Sequence, residues 1–144
     1  MKTTLLIGID VGTHTGFAVW DRCAEAFTEV TSMPIHAALL RVKEIADRYS
    51  DGAVAVVFED ARLRKWYGTH TAKKDRAKLQ GAGSVKRDST IWEDALRDWG
   101  IPFSKVAPKD NITKMDAEPF RRLTGWTRRT NEHGRDAAML VWGR

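Results

Sequence analysis

Four side chains in this chain have the types and the placement to do chemistry together. Asp10 directly follows the apolar run Leu5-Leu6-Ile7-Gly8-Ile9, and Glu59 directly follows Ala53 to Phe58. A carboxylate at the end of an apolar segment is costly unless something positive meets it. His133 and Asp136 lie three apart where a helix is expected to open, so they project from one face about one turn apart. Carboxylates gathered from three elements repel one another, and their natural neutraliser is a hard divalent cation, magnesium or manganese, held through oxygen. Two such ions about 3.5 to 4 Å apart suit in-line attack on a phosphodiester. Each residue also has a plainer reading. Asp10 could close the turn beside Gly12, and Glu59 with Asp60 could end a strand in solvent. His133 and Asp136 could be ordinary first-turn helix residues, the acid favoured by the helix dipole. Side chains alternate along a strand, so only one of Glu59 and Asp60 can face the same way as Val57.

The elements that must position these residues can be read from periodicity. Thr4 to Asp10 and Thr15 to Trp20 read as two strands of a hairpin joined by Val11-Gly12-Thr13-His14, with a third strand around Ala26 to Val30. Pro34 opens a helix with Ile35, Leu39, Val42, Ile45 and Ala46 at helical spacing, ending near Tyr49. Ala53 to Phe58 reads as a strand buried on both faces, and a helix followed by such a strand implies a parallel crossover. Ser89 to Trp99 has Ile91, Trp92, Ala95, Leu96 and Trp99 on one stripe and predicts a helix closed by Gly100. Pro102 to Val106 predicts a fifth strand, Asp116 to Leu123 a short helix, and Asn131 the N-cap of a final helix reaching about Trp142. The expectation is an α/β layer fold.

The chain has 144 residues, the size of one ordinary domain, and a single domain over 1–144 is expected. Its longest early apolar run is too short for a signal-peptide core or a membrane span, which predicts a protein that stays in the cytoplasm and off the membrane. Cys23 is the only cysteine, so an internal disulfide and thiol-rich zinc sites are excluded. The net charge of +5 fits a polyanionic partner. Distribution says more. Arg62, Arg64, Lys65, Lys73, Lys74, Arg76, Lys78, Lys86 and Arg87 face a single acid, Asp75, with Trp66 and Tyr67 among them. Such a stretch suits a phosphate backbone and exposed bases; the alternative is a solvated loop.

Three segments together carry a resemblance over nearly the whole chain. Ile7-Gly8-Ile9-Asp10-Val11-Gly12 followed by Thr15-Gly16-Phe17-Ala18, then Val56-Val57-Phe58-Glu59, then Glu132-His133-Gly134-Arg135-Asp136-Ala137-Ala138 resemble the RuvC family of Holliday-junction resolvases and their phage relatives. The resemblance implies a ribonuclease H-like fold, with a mixed five-stranded sheet of three antiparallel and then two parallel strands flanked by helices. It implies metal binding and catalysis by Asp10, Glu59, His133 and Asp136, with Asp10 bridging two magnesium or manganese ions. It further implies that a lysine in the loop from Pro108 approaches the scissile phosphate, Lys114 rather than Lys109. The implied reaction is paired nicking of a four-way DNA junction by a homodimer, leaving 5′-phosphate and 3′-hydroxyl ends. The helix after the basic segment would pair the subunits, although its apolar stripe could equally pack on its own sheet. The basic segment would lie on the junction arms, with Trp66 or Tyr67 free to stack on an unpaired base. A helicase that delivers the junction is not named by any residue here. Related activities on flaps, forks or RNA/DNA hybrids share the same chemistry, and a non-catalytic branched-DNA-binding protein would share the basic surface without needing the acids. Gly8 to Thr13 also resembles the phosphate hairpin of sugar kinases and actin-like ATPases, but those enclose nucleotide between two copies of the domain.

Overall fold

A computed structural model of the chain describes residues 2–63 and 72–144, and in the helix that begins at Ala72 it describes side chains from residue 83 onward. Five strands form one sheet: β1 (Leu5–Asp10), β2 (His14–Asp21), β3 (Ala26–Pro34), β4 (Val54–Glu59) and β5 (Phe103–Val106). Their order is β3-β2-β1-β4-β5. β1, β2 and β3 pair antiparallel, while β4 pairs parallel with β1 and with β5. The expected mixed sheet is present. β3 runs on past Val30 to Pro34, which an edge strand tolerates because the N–H that proline lacks is not needed by a further strand.

Four helices cover the sheet: α1 (Ile35–Asp47), α2 (Ala72–Trp99), α3 (Ala117–Thr124) and α4 (Glu132–Val141). Strand alternation gives the sheet two cores. Leu5, Ile7, Ile9, Phe17, Val19, Val54, Val56 and Phe58 meet Val42 and Ile45 of α1 and Trp92 and Leu96 of α2 on one face. Leu6, Ala18, Trp20 and Val57 meet Phe120 of α3 and Ala137, Ala138, Leu140 and Val141 of α4 on the other. Trp92 and Leu96, on the stripe that could have paired subunits, are fully buried in the chain's own core. Trp92 and Leu96 therefore pack on their own sheet with Trp99 half-buried against them, while Ile91 at the edge of the stripe is exposed.

α2 corrects the expected start at Ser89 by beginning at Ala72. Residues 72–83 are rich in Ala and Lys, with Arg76, Leu79 and Gln80 among them, all of which favour helix, but they carry no apolar stripe. Gly81 and Gly83 weaken the local propensity further, so periodicity reveals only the half that packs. The alternative of a solvated loop is thus replaced by helix from Ala72 onward. Among the described residues no helix is long and apolar enough to cross a membrane.

Candidate active site

The parity of each strand decides where its terminal acid points. In β1, Leu6, Gly8 and Asp10 share a face; in β4, Ala55, Val57 and Glu59 do. Both sets lie on the α4 side, and β1 and β4 are parallel neighbours with Ile9 opposite Phe58, so their acids emerge side by side. Asp60 turns the other way. It is 1% exposed and takes the Arg62 guanidinium at 2.7 Å and its backbone amide at 2.9 Å. Burial pushes the Asp60 carboxyl up, but hydrogen bonds from Arg62 and its charge hold it below the ordinary value.

α4 brings the other two residues. Asn131 caps it, its side chain accepting from the Gly134 amide at 2.8 Å, which sets His133 and Asp136 in its first turns. The helix backbone lies directly on the strands. A Cβ on Gly8 would stand 2.1 Å from the Ala137 carbonyl oxygen, and one on Gly16 would stand 1.9 Å from that of His133. Only residues without a side chain admit that approach, and it is what brings His133 Nδ1 to 3.2 Å from Asp10 Oδ2. The Gly12 turn is closed by Thr15 Oγ1, which donates to the Gly12 carbonyl at 2.8 Å, so Asp10 is not needed as its cap.

The acids bear on one another. Burial, with the nearby charges of Asp136 and Glu59, pushes the Asp10 carboxyl up to about 7, against the opposing pull of His133. Burial also raises Asp136, although the Lys114 amide donates to its Oδ1 at 2.8 Å and pulls the other way. Asn111 Nδ2 donates to Glu59 Oε2 at 3.2 Å and to the Asp136 carbonyl at 3.3 Å, tying β4 to α4. Sequence patterning does not single out Asn111; its one signal is its place in the loop that ends at Lys114. His14 is a second addition, with its ring centroid 6.2 Å from that of His133.

The donor set of three carboxylates and one imidazole has the chemistry of a hard-cation site, and the raised Asp10 carboxyl is that of an acid lacking compensating positive charge. Among the described residues no three such side chains close into a ready-made ion cage. In this arrangement His133 occupies Asp10, and Asn111 and Lys114 orient the other two acids.

The remaining candidates divide clearly. Lys114 has a positive φ of 59° and contributes its amide to Asp136, while its side chain is exposed. Lys109 is exposed in the same loop. Arg62 is drawn inward, bonded to Asp60 and within 3.4 Å of Glu93. Arg87 is exposed and 4.0 Å from Asp88, and Lys86 is half-buried one residue earlier on α2. Lys73, Lys74, Arg76 and Lys78 lie on α2, where only the backbone is described, and Arg64, Lys65, Trp66 and Tyr67 lie outside the described residues.

The chain is similar to a solved structure of Thermus thermophilus (T. thermophilus) RuvC in complex with a Holliday junction substrate, with a TM-score of 0.53 and 18% identity over 95% of this chain and 90% of that one. This is a ribonuclease H-like fold. No protein-family model and no curated protein matches the chain. At this identity the likeness concerns the ribonuclease H-like framework, in which the ends of β1 and β4 and the start of α4 face one another.

Proposed function

We propose that the chain is a divalent-metal-dependent endonuclease that cuts four-way DNA junctions by paired nicking as a homodimer. The observation that carries this reading is the convergence of Asp10, Glu59, His133 and Asp136 from β1, β4 and α4, with Asp10 raised first by burial and then by the charges of Asp136 and Glu59. Divalent cations, which Asp10, Glu59, His133 and Asp136 would hold, would supply the charge that activates a water and stabilises the departing 3′ oxygen. Asp10 is bonded to His133 and feels the charges of both Asp136 and Glu59, so it would be a ligand common to the set. Glu59 is oriented by Asn111 and Asp136 by the Lys114 amide, so neither is left to swing freely. The Lys114 ammonium, on an exposed side chain in the same loop, is available to the phosphate being cut. The basic residues from Arg64 through Arg87 would meet the junction arms, and the likeness to a junction-bound RuvC supports branched DNA as the substrate.

The test is cleavage of labelled immobile four-way junction, fork, flap, RNA/DNA hybrid and linear duplex with magnesium, manganese or chelator. Paired symmetric nicks confined to the junction and lost in chelator are expected, and Asp10→Asn should abolish them while junction binding persists. Metal-dependent cutting that prefers flaps, forks or hybrids would keep the site and change the substrate. Tight junction binding with no cutting under any metal would mean an architectural protein.

A further inference from the structure

A second basic surface lies outside the segment from Arg62 to Arg87. α3 ends in Arg121 and Arg122, and the connector to α4 carries Arg128 and Arg129. Over residues 117–131 four arginines thus stand against one acid, Glu118. Glu118 pairs with Arg121. Arg122, Arg128 and Arg129 are exposed and none of them has a carboxylate partner among the described residues. Glu118, Arg121, Trp126, Thr127, Arg128 and Arg129 line an open cleft of about 500 Å³.

Two features distinguish this cleft from a merely solvated face. The helix dipole accounts for cations in the last turn of α3, but Arg128 and Arg129 lie beyond it, where no dipole rewards them. Arg128 is also placed, its guanidinium 5.4 Å from the centroid of the Trp126 ring, whose Nε1 is buried without a hydrogen-bond partner. An arginine resting on an aromatic face keeps its planar fork of donors pre-oriented for a phosphate. The connector is joined rigidly to the candidate active site. Thr130 Oγ1 takes the Arg135 guanidinium at 2.9 Å, Arg135 Nε donates to the Met115 carbonyl, and Asn131 caps the helix that bears His133 and Asp136.

We infer that the cleft between α3 and the α3–α4 connector binds the phosphate backbone of DNA flanking the scissile bond, through Arg128 and Arg129 with Arg121 beside them. The inference rests on the reading of the chain as a DNA nuclease. A phosphate run seated there would relieve the mutual repulsion of the arginines and lead toward α4.

Equilibrium binding of a fluorescent four-way junction, measured in chelator over a series of salt concentrations, separates the possibilities. The variant R128Q/R129Q should bind roughly tenfold more weakly at 0.1 M salt, with a log K against log salt slope shallower by about 0.9 for each phosphate that the variant leaves unneutralised. R128K/R129K, which keeps the charge, should retain most of the wild-type slope. Wild-type affinity and slope in the glutamine variant would overturn the cleft while leaving the nuclease reading intact. Equal weakening in the glutamine and lysine variants, with a lowered unfolding temperature in both, would make the arginines packing residues and also overturn it. Absence of DNA binding by the wild-type chain would overturn both the cleft and the nuclease reading.

Discussion

Asp10 is held in a state that the fold alone does not favour. Its carboxyl is raised from 3.8 to about 7, so between these values the folded chain keeps a proton that the unfolded chain has released. Native proton binding then exceeds unfolded binding, and stability in chelator should fall as pH rises through that window. Asp136, raised by burial, acts with the same sign. Urea midpoints in chelator at about pH 5 and about pH 8 should show this loss, and Asp10→Asn should reduce it and raise the midpoint at pH 8. Saturating magnesium or manganese should restore wild-type stability at the higher pH, because ligand that binds only the folded state stabilises it. At Lys114 the positive φ separates two roles. Lys114→Gly relieves that backbone and keeps the amide for Asp136, whereas Lys114→Ala keeps the amide together with the strain that the lysine already bears. If the ammonium serves catalysis, both should lower the cleavage rate by about 10²-fold or more, the size of effect seen when a charge-stabilising donor is removed. A near-normal rate in Lys114→Gly would restrict Lys114 to holding the loop. At this scale Asp10 and Glu59 are marked in the sequence because they follow apolar runs, and His133 and Asp136 by their spacing of three, whereas Asn111 and His14 are not, since an amide or imidazole in a turn has no periodic pattern to mark what it will face.

At the scale of elements, the seating of α4 on β1 and β2 is what assembles the four residues. Gly16→Ala would drive a methyl into the His133 carbonyl and onto the Asp10 Cβ, and the helix would have to lift at the end that bears the ligands. Overpacking of this kind typically costs about 1–3 kcal/mol. The expected outcome is a lower unfolding midpoint together with loss of cleavage, while Gly52→Ala, at a turn with open space, should cost only the strain of its positive φ and leave cleavage intact once folded. The glycines of the motif were legible as letters; the need for them was not, because it arises from a helix more than a hundred residues away in sequence. The same limit explains α2. The packed half from Ser89 announced itself by Trp92 and Leu96, and the half from Ala72, which has no apolar stripe, could be seen only in the folded chain.

For the whole molecule, paired nicking requires two active sites, and Trp92 and Leu96 of the α2 stripe are already used in the core. Sedimentation should nevertheless find a dimer at the concentrations where paired nicks form, and a monomer under those conditions would limit the enzyme to single, unpaired cuts. On the proposed reading, the residues assigned to DNA contact and those assigned to cutting differ in how far folding must proceed before they come together. Basic residues of α2 and the α3–α4 connector are contributed by short local stretches. The Asp10–His133 contact joins positions 123 residues apart and forms only when the first strand and the last helix have docked. On that reading, cleavage would be coupled to completion of the fold in a way that adhesion to nucleic acid is not. A partly folded chain would cling to DNA without harming it, and cutting activity would report the fraction of molecules that have closed their longest loop.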